Sequence, residues 1–138
     1  MHRILLIALF FLLMVSSVCA QNPDKEKAAV EAAEKWLALV DAGKYEESWN
    51  QTAGYFRSAV KKEDWVQAMG AHRKPLGKLI SREVKSKTYE TALPGAPDGE
   101  YVVIQFETSF ENKRAAVETV TPMLEKGGQW RVSGYYIK

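Results

Sequence analysis

ETVTPMLEKGGQWRVSGYYIK, residues 118 to 138, is the stretch on which the architecture turns. Two runs of alternating apolar and polar residues flank Gly127-Gly128, a pair suited to a two-residue hairpin turn. Successive strand residues point to opposite faces, so a one-residue slip in this hairpin exchanges its two surfaces. With Gly127-Gly128 as the loop, Met123 lies opposite Val132, Thr121 opposite Gly134 and Thr119 opposite Tyr136. Those residues then lie on the covered side of the sheet, and Val120, Pro122, Leu124, Arg131, Ser133, Tyr135 and Ile137 point away. A three-residue turn is the alternative, and it brings Glu118 opposite Tyr136 on the covered side.

The rest of the chain supplies the partners. Tyr101 to Phe110 alternates, with Val102, Ile104, Phe106 and Phe110 on one face. Leu79 to Thr91 reads as a long polar strand, separated from it by the turn-rich LPGAPDGE at 93 to 100. Ala115 to Glu125 and Gln129 to Ile137 complete four strands. Before Gly77 the period is helical. Ala29, Val30, Ala33, Trp36, Leu37 and Val40 recur at three- and four-residue steps after an entrance at Pro23-Asp24, with Asp24 as the expected cap. Gly43 ends that helix, and Tyr45 and Trp49 begin a short second one folded back on it, so that Trp36 and Trp49 are expected in one crevice. A third helix spans Lys62 to His72, with Trp65, Val66 and Met69 inward, and Pro75 stops it. Helices first and an antiparallel sheet afterwards define an α+β domain.

The N-terminus has a different grammar. Arg3, the apolar run Ile4 to Val15, and small residues at Val18 and Ala20 match a secretory signal cleaved after Ala20. That run is shorter than the roughly 20 residues needed to span a membrane, so no stable anchor is expected after cleavage. The residues before Cys19 do not fit a lipid-attachment pattern. The mature chain is expected to comprise a tail at 21 to 27 and one domain at 28 to 138, exported to the periplasm or secreted. Loss of Cys19, the single cysteine, leaves no thiol chemistry. Loss of Arg3 lowers the formal charge from +2 by one, so no basic field calls for nucleic acid.

AAEKWLALVDAGKYEESW (32 to 49), LGKLISREVKS (76 to 86), PDGEYVVIQFETSF (97 to 110) and ETVTPMLEKGGQWRVSGYYI (118 to 137) occur in that order. Together they resemble the bacterial exported family catalogued as domain of unknown function 4019. The chain is likewise similar to the cone-shaped domains related to nuclear transport factor two, also described as cystatin-like. The resemblance implies helices packed on a curled four-stranded antiparallel sheet and an exported setting; it assigns no catalytic residue. Wider relatives of the cone include dehydratases, isomerases and hydrolases with acid–base groups inside it.

Such chemistry requires a tuned carboxylate or imidazole within reach of substrate. His72, the one histidine of the mature chain, reads as an exposed helix-end residue. The two-residue turn gives the covered face hydroxyls from Thr108, Thr119, Thr121 and Tyr136 but no acid. Glu118 is the acid that would reverse this, and a surface residue paired with a basic neighbour is its other reading. The basic run Arg73, Lys74, Lys78, Arg82, Lys85 and Lys87 reads as a solvated sheet edge. No metal-ligand spacing or cofactor motif is present in the sequence. The sequence therefore predicts a non-catalytic binding or protein-interaction module, with an acid–base enzyme using Glu118 as the alternative. Its candidate pocket for a small apolar ligand comprises Trp36, Tyr45, Trp49, Tyr55, Phe56 and Tyr136. Its candidate homodimer face comprises Tyr101, Val103, Val120, Leu124, Tyr135 and Ile137.

Overall fold

A computed structural model describes residues 21–138, and the expected leader at 1–20 lies outside them. Four helices, α1 (Pro23–Asp41), α2 (Tyr45–Asn50), α3 (Gly54–Ala59) and α4 (Lys62–His72), precede a single 3-10 turn at Lys74–Leu76. Four strands follow: β1 (Leu79–Glu90), β2 (Tyr101–Phe110), β3 (Lys113–Leu124) and β4 (Trp130–Ile137). They form one antiparallel sheet in the order β1-β2-β3-β4. Among the described residues no helix is long and apolar enough to cross a membrane.

The cap of α1 lies two residues before the expected one at Asp24. Asn22 takes the cap position and Pro23 the first helical one, where its missing N–H costs nothing. Residues 23–27, expected as a tail, are therefore the first turns of α1, with Glu26 buried and Lys25 paired to Glu100. Ala29, Ala33, Trp36, Leu37 and Val40 form its buried stripe and meet Val102, Ile104, Phe106, Val120 and Val132 of the sheet. At the far end Gly43, at φ +74, allows its own N–H to reach Val40 O at 3.0 Å and Lys44 N–H to reach Leu39 O at 2.9 Å. This left-handed cap turns the chain sharply into α2.

The β3–β4 hairpin takes the three-residue turn. Gly128 N–H reaches Glu125 O and Glu125 N–H reaches Gln129 O, both at 2.9 Å. Only Gly128 of the glycine pair has positive φ, whereas the common two-residue turn with positive φ at both positions would need Gly127 to share it. From this turn Leu124 pairs with Trp130, Met123 with Arg131 and Pro122 with Val132. An extra residue at Ser133-Gly134 then shifts the ladder, so that Val120 meets Tyr135, Thr119 meets Tyr136 and Glu118 meets Ile137. Further irregularities interrupt β1 at Ile80 and Lys85. Such insertions bend and twist a strand, and they curl this sheet around α1.

Directly paired residues share a face. Val120 also pairs with Ile104 and Glu118 with Phe106, both beneath the helices. Glu118, Val120, Pro122, Leu124, Tyr135 and Ile137 therefore lie on the covered side, and Thr119, Thr121 and Tyr136 on the other, the reverse of the expected faces, although beyond the Ser133-Gly134 insertion Thr119 still meets Tyr136 as expected. Of the inward hydroxyls expected there, Thr108 alone is placed correctly.

Candidate functional site

Ser48 organises the aromatic centre. Fully buried in α2, it accepts the Trp36 indole N–H on its carbonyl at 2.8 Å and the Trp65 indole N–H on its hydroxyl at 3.0 Å. The same hydroxyl donates to Tyr45 O at 2.6 Å. Trp36 thereby packs on Trp65, with ring centroids 5.9 Å apart, and edge-on against Tyr135 at 5.2 Å. Trp49, expected beside Trp36, sits at the periphery and donates to Val60 O at 2.8 Å.

Behind Tyr135 lies a chain of charges. Glu118, with no exposed surface, accepts from Arg82 Nε at 2.7 Å and Thr108 Oγ1 at 2.6 Å on one oxygen, and from the Tyr135 hydroxyl on the other. Arg82 turns its two terminal nitrogens to Asp41, at 2.7 and 2.9 Å. Arg73 reaches Asp41 at 3.2 Å and Gly77 O at 2.7 Å, and its guanidinium lies 4.4 Å over the Phe110 ring. The network joins the end of α1, the end of α4 and all four strands of the sheet.

Burial opposes the Arg82 charge, but its bonds to Asp41 and Glu118 prevail and hold its pKa above the ordinary arginine value. Burial first, and then the adjacent Glu118 carboxylate, push the Tyr135 phenol well above the ordinary tyrosine range. A general base must reach the proton it removes. Glu118 is instead enclosed by three donors with no open surface, so its position fits a structural carboxylate.

The cavity that adjoins this network opens between α4 and the end of β4. Trp65, Ala68, Met69 and His72 form one wall, and Tyr135 and Ile137 the other; its volume is about 510 Å³. Lys113 and Lys138 stand at its edge. A second groove of about 580 Å³ runs between α1, α2 and β4; it is more open, and Glu31, Lys35, Glu47 and Arg131 make its lining mixed in charge.

The six aromatics expected to form one pocket do not converge. Trp36 borders the open groove and Tyr136 the α4–β4 cavity. Tyr45, Trp49 and Phe56 pack half-buried against the core, while Tyr55 is exposed and donates to Gly95 O at 3.0 Å. The six residues expected as a dimer face are likewise divided. Val120, Leu124, Tyr135 and Ile137 lie under the helices because β2 pairs its inward Ile104 with Val120, and Val120 in turn pairs with Tyr135. Val103, paired with Thr88, faces away. Tyr101 also faces away, yet is 1% exposed because its hydroxyl reaches Pro97 O at 2.6 Å beneath the 91–100 connection.

Asp41, Arg73 and Arg82 were not singled out as partners by sequence, and one signal pointed to them. An acid in the last turn of a helix opposes the helix dipole, and Asp41 occupies that place with no basic residue in the turn. Such a residue calls for cations from elsewhere in the chain.

A family model described as "Protein of unknown function (DUF4019)" matches residues 32–135, which include every member of the charge network and most of the cavity. No curated protein and no solved structure matches the chain.

Proposed function

The chain belongs to the DUF4019 family of proteins of unknown function, and from that premise we propose that it is an exported, non-catalytic binding domain. In this reading the domain is a cone of the type related to nuclear transport factor two, and it holds a small apolar molecule between α4 and β4. The curled antiparallel sheet beneath N-terminal helices supports the cone. Arg3, the apolar run at 4 to 15 and the small residues at 18 and 20 support export with cleavage after Ala20.

One observation carries the binding reading: the α4–β4 cavity has an aromatic and aliphatic lining and a preformed floor, while the buried acid behind it is closed off. The Trp65 indole is fixed by Ser48 and the Tyr135 hydroxyl by Glu118, so neither ring has to be ordered when a ligand arrives. A volume of about 510 Å³ is in the range of small-molecule sites.

The test uses N-phenyl-1-naphthylamine, an uncharged apolar fluorophore. Its emission should rise on mixing with the mature protein and fall well below that level with Ala68→Phe, whose ring would project into the cavity from the α4 wall. Emission unchanged by the wild-type protein, or equal for both, would remove the reading. Intact-mass analysis of exported material, expected to begin at Gln21, tests the processing.

A further inference from the structure

We propose that the α4–β4 cavity selects a small monoanionic amphiphile, with its apolar body against Trp65, Met69 and Ile137 and a carboxylate-like head beside Lys113 and Lys138. This deepens the binding reading above and rests on it.

The polarity of the cavity is arranged by depth. Two lining residues carry a hydroxyl: that of Tyr135 is already donated to Glu118, and Tyr136 is 58% exposed, so its hydroxyl belongs to the open side of the cavity and not to its floor. The floor thus presents ring faces and methyl groups, with no free donor for a sugar or another polyhydroxylated ligand, whose buried hydroxyls would lose their hydrogen bonds. A polar group on the ligand has to remain at the rim.

The charged side chains of the lining have one sign: Lys113 and Lys138 line the cavity, and no aspartate or glutamate side chain does. Neither lysine enters an ion pair among the described residues. This asymmetry is local, since the whole chain has 19 basic and 17 acidic residues. The carboxylate nearest the floor, Glu118, is compensated by Arg82 and so does not repel an arriving anion. Two lysines at the edge of a concavity fit a single head group; a membrane-surface patch uses a cluster of about four to eight basic residues.

Octanoate, 1-octanol and octylammonium present similar chains with negative, neutral and positive heads. Each is titrated against protein carrying N-phenyl-1-naphthylamine at constant ionic strength. Octanoate should displace the fluorophore from the wild-type protein and weaken about tenfold in Lys113→Gln/Lys138→Gln, the size expected of two partly exposed charge contacts. 1-Octanol should be indifferent to that change, octylammonium should compete worst, and Ala68→Phe, checked for folding by circular dichroism, should abolish octanoate binding.

Competition by all three compounds without dependence on the lysines would overturn the anion assignment and leave the apolar site standing. Failure of the fluorophore itself to bind would remove the site and this inference together. Octanoate binding that survives in Ala68→Phe would overturn the location. Cosedimentation with phosphatidylglycerol vesicles that is lost in the lysine variant, with no displacement by octanoate, would replace the pocket by a membrane-surface contact.

Discussion

Arg82 on β1 and Glu118 on β3 meet at 2.7 Å across the intervening strand β2, with Thr108 of β2 bonded to the same carboxylate oxygen. Cross-strand neighbours ordinarily lie on adjacent strands; a long guanidinium is needed to skip one. Since Arg82 also holds Asp41, one side chain ties the edge of the sheet to its middle and to the end of α1.

Removing one member should therefore be worse than removing the pair. Glu118→Leu leaves a largely buried guanidinium short of a partner and is expected to cost about 3–5 kcal/mol. Arg82→Met combined with Glu118→Leu should cost less than Glu118→Leu alone, because Asp41 still has Arg73. Urea denaturation of the two variants decides it, and additive losses would show that the charges are uncoupled.

Tyr135 gives a stability change on the alkaline side. Its folded pKa is raised, chiefly by burial, above an unfolded value of about 10. Below pH of about 10 both states keep the proton and the contribution is fully present; above it the unfolded state releases the proton and the folded state retains it. Stability should then fall by about 1.4 kcal/mol per pH unit from this residue, continuing until the folded pKa is reached. Melts at about pH 9 and pH 11 should show a shallower decline for Tyr135→Phe than for the wild type. Equal declines would mean that the phenol titrates normally.

Ser48→Ala removes only one oxygen, yet the Trp65 indole N–H loses its acceptor in a buried place. A loss of about 1–3 kcal/mol is expected. Trp36→Ala should cost about 3–5 kcal/mol as a fully buried aromatic, and the half-buried Trp49 clearly less. Thermal or urea melts of the three variants should rank Trp36→Ala as the most damaging; equal losses at Trp36 and Trp49 would contradict their different burial.

Gly43→Ala isolates a conformational cost. A Cβ there would meet nothing within 4 Å, so the whole penalty comes from holding φ +74 with a side chain. About 1–2 kcal/mol is expected, and Gly43→Asn should recover part of it because asparagine tolerates this conformation better. Comparison of the three midpoints in urea is sufficient.

Much of the architecture was legible in the sequence because periodicity is a direct imprint of burial. The stripe from Ala29 to Val40, the third long helix at Lys62–His72 and the alternation of Tyr101–Phe110 all occur where the residues placed them. α3 was missed because its six residues include no fully buried one, and one half-buried large apolar residue, Phe56, in so short a helix leaves no periodic trace. The faces of β3 were reversed because its covered side is set by the pairing of Val120 with Ile104 and Glu118 with Phe106, a tertiary register that the alternation of β3 alone does not encode. Arg82 was hidden by composition: among neighbouring lysines it reads as one more solvated charge, and its inward direction depends on the ladder of β1 with β2. Of the cavity lining only Tyr136 was among the aromatics expected in a pocket; Trp65 read as a core residue and Tyr135 as part of the outer face, and their meeting depends on the pairing of β3 with β2.

β1 ends the sheet, and the interruptions at Ile80 and Lys85 have a consequence for molecules in a crowd. A second chain adding itself along that border would need evenly spaced amides and carbonyls on a straight strand. It would meet two bends within twelve residues, together with the ammonium groups of Lys78, Lys85 and Lys87. Pairing would stop after a few bonds, so the border resists growth into stacked fibres even at high concentration.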